Sequence, residues 1–234
     1  MKYNYSQIPV GYYDALHNKR SGLQSKWHWL KFLKFKNSLQ PSDLHLDVGC
    51  GPGTFIGNYS FGNSTGVDIA LNQIRYAKNK YGSKCQFLHV ATNDPLPFED
   101  QKFDTISMIE LIEHLTDEQI LNLLSDVKRL LKKDGRLLLS TPNYGSAWPV
   151  LEKFVNLIGV VSYEDQHINH FDKKRLKDLL QMVGFQKINV ESYLFAAPFF
   201  ASINWSFSDL IHKHEPKWIA RKIGFLLFAQ AQNS

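Results

Sequence analysis

The stretch Leu46-Asp47-Val48-Gly49-Cys50-Gly51-Pro52-Gly53-Thr54-Phe55 constrains this chain more than any other. Leu44, Leu46 and Val48 alternate with polar residues as a short strand does, and Phe55 with Ile56 opens a helix beyond the turn. Glycines at alternate positions leave the loop with the side chains of Cys50 and Pro52 alone, so a ligand can lie against bare backbone. Strand, glycine turn and helix together make the floor of a nucleotide-type site.

What the loop lacks narrows the ligand. A dinucleotide pattern counted from Gly49 and Gly51 meets Thr54 where its third glycine belongs, and no lysine lies between Lys36 and Lys78 to complete a phosphate loop. Asp47 just before the glycines suits a ligand with a cationic end. Asp68, nineteen residues after Gly49 in Val67-Asp68-Ile69, is placed to accept both hydroxyls of a ribose. An acid on each side of a glycine loop points to S-adenosylmethionine.

These residues, with Pro95-Leu96-Pro97-Phe98-Glu99-Asp100, Phe103-Asp104, Glu110-Leu111-Ile112-Glu113-His114 and Asp134-Gly135-Arg136-Leu137 following in order, resemble class I S-adenosylmethionine-dependent methyltransferases over roughly residues 40 to 190. The resemblance implies an α/β fold: a doubly wound, mostly parallel seven-stranded sheet with helices on both faces, plus helical cap insertions. It implies S-adenosylmethionine as cofactor, met by Asp47, Gly49, Cys50, Gly51, Gly53, Asp68, Ile69, Ile109 and Glu110. Related sequences carry an aspartate near the adenine where this chain has Ala91-Thr92-Asn93-Asp94, so Thr92, Asn93 or Asp94 takes that place.

Methyl transfer from a sulfonium is an in-line displacement, and a general base is needed where a hydroxyl or amine must lose a proton. Three histidines compete for that role. His114 follows Glu113 in a pair that is catalytic in some relatives and fixes a loop in others. His167 and His170 stand in Gln166-His167-Ile168-Asn169-His170-Phe171, where the alternative is packing of an insertion. The H-x-x-H spacing near Glu164 and Asp165 is a weak metal pattern, and no metal is expected. Tyr13, Asn143 and Trp148 are expected on the acceptor side, Asn143 orienting a hydroxyl.

The 234 residues, 44% apolar, suffice for one domain with a cap. It divides into an N-terminal arm and helix (1–40), a cofactor-binding core (41–194) with a cap insertion (142–171), and an aromatic insertion with the last strand (195–234). Residues 1–20 read as an irregular aromatic arm holding Tyr3, Tyr5, Tyr12 and Tyr13. Leu23, Trp27, Leu30 and Leu33 predict a helix over 21–35 whose Lys26, Lys31 and Lys34 form a solvated basic face or one turned to an anionic surface. Further helices are expected at 70–81, 117–132, 148–158 and 173–183, and strands at 85–90, 103–109, 136–140, 188–194 and 224–231.

A net charge of +5 without a dense cluster gives no reason to expect nucleic acid, and an Asn-Pro-Pro-Tyr acceptor motif is replaced by Ile109-Glu110-Leu111-Ile112. Cys50 and Cys85 suggest neither disulfide nor zinc site, and the first residues lack a signal-peptide run, so a cytoplasmic protein is expected. Ser192–Ser208 carries no charge but is too short and too broken by Pro198 to span a bilayer. Its aromatics, with Trp218, Lys213, Lys217, Arg221 and Lys222, raise the expectation of a peripheral contact with the inner membrane face. The reading is therefore a methyltransferase acting on a hydroxyl or amine of a small-molecule, glycan or lipid-linked acceptor, with a non-catalytic cofactor-binding partner protein as its rival. Oligomeric state is not written in the sequence.

Overall fold

The computed structural model describes residues 8–92, 94–158 and 167–233, so Tyr3, Tyr5, Asn93, Glu164 and Asp165 lie outside the described residues. Seven strands form one sheet in the order β3-β2-β1-β4-β5-β7-β6. They are β1 (His45–Val48), β2 (Ser64–Asp68), β3 (Gln86–His89), β4 (Phe103–Ile109), β5 (Leu131–Pro142), β6 (Gln186–Tyr193) and β7 (Leu226–Gln232). β1 to β5 are parallel, and β7 runs antiparallel to both β5 and β6. After β1 the chain builds outward through β2 and β3, then returns to the other side of β1 with β4. That reversal is the point where an open α/β sheet leaves a ligand crevice at the strands' carboxyl ends.

Burial explains the strand sequences. Phe103, Ile106 and Met108 of β4 are buried with Leu46 and Val48 of β1 and Leu137 and Leu139 of β5 in one core. The helix α5 (Asp117–Leu130) covers that face, burying Ile120, Leu124, Val127 and Leu130. Each fully buried side chain of this kind contributes about 1.5 to 3 kcal/mol. Its start is set by the expected capping box: the Gln119 N–H donates to Thr116 Oγ1 while Gln119 Oε1 accepts from the Thr116 N–H. Its end comes at Leu130, earlier than the sequence predicts. The turn is made by Asp134 at φ 62° rather than by Gly135, and the Asn233 amide donates to the carbonyls of Lys128, Leu131 and Lys132.

The other face is covered by α2 (Gly22–Lys36), α3 (Thr54–Tyr59) and α4 (Leu71–Tyr81), which close Phe32, Phe35, Phe55, Ile74 and Tyr81 over Phe87, Leu138 and Phe228. The insertions supply α6 (Trp148–Ile158), ahead of α7 (Lys173–Met182), and then α8 (Ala197–Phe200), α9 (Trp205–His214) and α10 (Lys217–Ile223). Trp148, Trp27, Leu30, Ala197 and Phe225 join them to α2 in a third cluster.

Two expectations are corrected. Residues 12–18, read as irregular, form helix α1 (Tyr12–Asn18). What periodicity could not show is its anchor: buried Asp14 accepts hydrogen bonds from Tyr76 Oη at 2.8 Å and Tyr81 Oη at 2.6 Å and pairs with Lys80 on α4. The basic face of α2 is also not a free cationic surface. Lys26, fully buried, pairs with Asp209 and lies 4.1 Å from the Trp205 ring centroid; Lys31 pairs with Glu110, and Lys34 with Glu191. Each lysine ties α2 to a distant segment.

Candidate active site

A cavity of about 720 Å³ runs from Asp68 across the glycine loop to His167. Its size is that of a cofactor or substrate cleft. Of the residues singled out in the sequence, Tyr13, Asp47, Gly49, Cys50, Gly51, Asp68, Ile69, Thr92, Ile109, Glu110, Glu113, His114, Trp148 and His167 line it. Asp94 lines it too, and Asn93 is outside the described residues.

At one end the glycines divide their work. Gly51 has φ 52° and open space where a Cβ would stand, so its backbone faces the cavity. Gly53 is not on the wall. At φ 73° it would drive a Cβ to 2.6 Å from the Phe87 ring, so it serves packing of the turn. Asp68 accepts from the Gly51 N–H and the Ala70 N–H, each at 2.7 Å, which locks the carboxylate to the loop and leaves lone pairs for a ligand. Burial raises its carboxyl, against the pull of those N–H donors. Asp47 is pushed up to about 7 by burial, with Oδ1 accepting from the Ser107 hydroxyl at 2.5 Å. That hydroxyl also meets His45 Nε2 at 2.9 Å, and His45 Nδ1 meets Ser64 Oγ at 2.9 Å. Burial lowers His45 to about 3, so the chain beneath Asp47 is neutral and offers it no compensating cation. A bare-backbone cradle between buried Asp47 and half-buried Asp68 fits a ligand bearing a cationic methionine end and a ribose. These residues therefore fit S-adenosylmethionine.

The opposite end is assembled from segments far apart in sequence. Trp27 of α2 and Trp148 of α6 face each other with ring centroids 5.5 Å apart, and Leu23 and Leu151 extend this apolar wall. Glu113 is fully buried in a short 3₁₀ turn (Ile112–His114); Oε2 accepts from Thr141 Oγ1 at 3.0 Å, and burial pushes its carboxyl up to about 7. The Asn169 N–H donates to the Glu113 carbonyl at 3.0 Å, which brings the His167 segment alongside. The His114 and His167 rings then lie 5.1 Å apart. His167 Nδ1 meets Glu152 Oε1 at 2.5 Å, and Tyr144 Oη donates to the same carboxylate. Burial opposes protonation of His167, but Glu152 and Glu113 outweigh it and the imidazole is raised.

Besides Gly53, two more expected site residues are off the wall. His170 is exposed and stacks on Tyr144 with centroids 3.9 Å apart, off the cavity wall. Asn143 is buried off that wall, donating to the Gly224 carbonyl and accepting from the Gly145 N–H, so its side chain joins the insertion to the segment just before β7. Residues not expected at the site are Trp27, His28, Lys31 and Leu151, which line it, and Glu152 and Tyr144, which support His167. Trp27 and Lys31 stand four apart on one helix and so share its inward face, a signal that was readable; Glu152 gave none.

A methyltransferase-domain family model matches residues 23–190. The demethylmenaquinone methyltransferase of Staphylococcus saprophyticus is 28% identical over 78% of this chain and 87% of its own length. The probable tRNA methyltransferase 9B of Mus musculus is 32% identical over 50% of this chain and 25% of its own length. The chain spans between about half and a quarter of the first curated relatives it matches. In fold it is similar to a solved methyltransferase of Thermotoga maritima, described as a possible histamine N-methyltransferase, with TM-score 0.70, 18% identity and 98% of both chains covered.

Proposed function

The chain belongs to the class I S-adenosylmethionine-dependent methyltransferases, and we propose that it moves the methyl group to a hydroxyl, or an amine, of a small-molecule acceptor with an apolar body. The observation that carries this is the continuity of one cavity from Asp68 to His167, with a bare-backbone cradle at one end and an apolar wall ending in ionisable groups at the other. S-adenosylmethionine supplies a methyl group on a sulfonium. Asp68 would hold its ribose, Gly49 and Gly51 would admit its methionine end to the loop, and Asp47 would face that end's ammonium. Trp27 and Trp148 would clamp the acceptor's apolar face so that its nucleophilic atom meets the methyl group in line. The proton would leave into the cluster of Glu113, His114 and His167. Similarity to an enzyme named for demethylmenaquinone supports a small apolar acceptor.

A lipid-linked acceptor at a membrane surface is a second reading, favoured by the aromatic insertion. Ile203 is 78% and Trp218 69% exposed there, with Phe207, Leu210 and Ile223 also exposed, and Lys213, Lys217, Arg221 and Lys222 lie among them. No helix among the described residues is long and apolar enough to cross a membrane. Contact would be through this insertion, since Lys26, Lys31 and Lys34 of α2 are paired.

Radiolabelled methyl transfer against panels of phenols, amines and lipid extract tests the assignment. A labelled acceptor lost on Asp68→Ala supports it. Tight S-adenosylhomocysteine binding with no acceptor labelled in any panel would make the protein a cofactor-binding partner instead.

A further inference from the structure

Glu113, His114 and His167 come together on the cavity wall. One ligand atom from each lies within 4.8 Å of the other two, at the acceptor end of the cavity. Donor atoms around a shared transition-metal ion, each at roughly 2.1 Å from it, stand about 3 to 4 Å apart, so small side-chain rotations close this set. We propose that these three residues bind a divalent transition-metal cation.

Three further features support the assignment. Glu113 Oε1 is buried and has no hydrogen-bond partner among the described residues, although its twin Oε2 is satisfied by Thr141. A buried carboxylate oxygen without a donor is destabilising, more so when charged, and a cation removes that cost. His167 already has its orienting partner: Nδ1 faces Glu152, whose carboxylate also receives the Tyr144 hydroxyl, so Nε2 would be the ligand nitrogen. A carboxylate behind a histidine in this way is the usual support of a metal-bound imidazole. The main chain fixes the spacing, through the bond from the Asn169 N–H to the Glu113 carbonyl.

The donor set also selects the ion. Two imidazoles and one carboxylate suit zinc, manganese, iron or cobalt better than magnesium or calcium, which favour all-oxygen shells. Three protein ligands leave positions open toward the cavity, as in sites that bind a reactant. An acceptor oxygen could take one of them, and this use rests on the methyltransferase reading; the existence of the site does not. The set is not the H-x-x-H pair suggested by spacing, since His170 points away to stack on Tyr144.

The test uses the full chain, stripped with chelator and titrated with Co²⁺ and Zn²⁺ by calorimetry, with the visible absorption of Co²⁺ as a second readout. One ion per chain is expected. Glu113→Gln and His167→Ala should each weaken binding by about 100-fold or more, and Glu152→Gln by about 10-fold. His170→Ala should bind as the wild type does. Each variant is also titrated with S-adenosylhomocysteine in chelator, so that loss of fold is told from loss of ligand. Absence of Co²⁺ binding by the wild type, or equal affinity in Glu113→Gln and His167→Ala variants that still bind S-adenosylhomocysteine, overturns the proposal. Failure of S-adenosylhomocysteine to bind a folded wild type would instead overturn the function.

Discussion

The two ends of the cavity are built by different rules. The cofactor end comes from one short run plus the tip of the next strand: Asp47 to Gly51, then Asp68, locked together by the Gly51 N–H bond to Asp68. The acceptor end gathers Trp27, Glu113, Trp148, Glu152 and His167 from the helix before the sheet, a turn after β4 and an insertion after β5. The cofactor end specifies a ligand with backbone, which few substitutions tolerate. The acceptor end specifies one with side chains, which substitution can change while leaving the fold. One chain can thus hold its cofactor end fixed while its acceptor end adapts.

The strongest way to break this contrast is Gly51→Val. Its Cβ meets no protein atom within 4 Å, so the fold pays for the strained φ of 52° while the cavity loses ligand space. Cofactor affinity should fall by about 4 kcal/mol, or 1,000-fold, in calorimetry with far smaller loss of acceptor-end structure. An unchanged affinity would show that backbone is not what the ligand reads.

Next in size is a titration at the acceptor end. Glu113 is raised from 4.5 to about 7 by burial. Between those values the folded chain keeps a proton that the unfolded chain has lost, so stability falls as pH rises through this window by about 3 kcal/mol and levels off above it. Glu113→Gln removes that slope. In chelator, its thermal midpoint relative to wild type should climb from pH 4.5 to 7 and then stay flat; parallel curves would mean Glu113 titrates normally.

Asp68→Ala should cost about 2 to 3 kcal/mol of cofactor affinity, because a charged acceptor of two ribose hydroxyls is lost. Smallest is Trp148→Ala, expected to raise the acceptor KM about 10-fold, roughly 1.4 kcal/mol, while S-adenosylhomocysteine affinity stays unchanged. A change in cofactor affinity there would join the two ends into one unit.

The sequence was legible where the cause was local. β4 and the helix Trp148–Ile158 fall at their expected bounds, and the capping box at Thr116 forms, because burial period and capping act between near neighbours. The strand, glycine turn and helix of residues 45–59 were legible for the same reason. Lys26, Lys31 and Lys34 were not, since solvation or pairing depends on where Asp209, Glu110 and Glu191 arrive in space. Asn143 carries a polar side chain at the right strand end, yet the Gly224 carbonyl claims it. His167 and His170 share a motif, and a stacking contact with Tyr144 separates them.

The place of β7 in the sheet has a consequence for biosynthesis. β6 lies at the sheet edge and its neighbour is β7, which follows the whole aromatic insertion in the chain. A ribosome therefore makes β6 and α8 to α10 before the strand that seats them on β5 exists. Until Leu226–Gln232 emerges, an unpaired strand edge and the apolar faces of Phe195, Ala197 and Leu194 stay uncovered. The glycine-loop cradle between β1 and β2 can thus close before β7 is made, whereas β6 and the insertion wait for their partner strand.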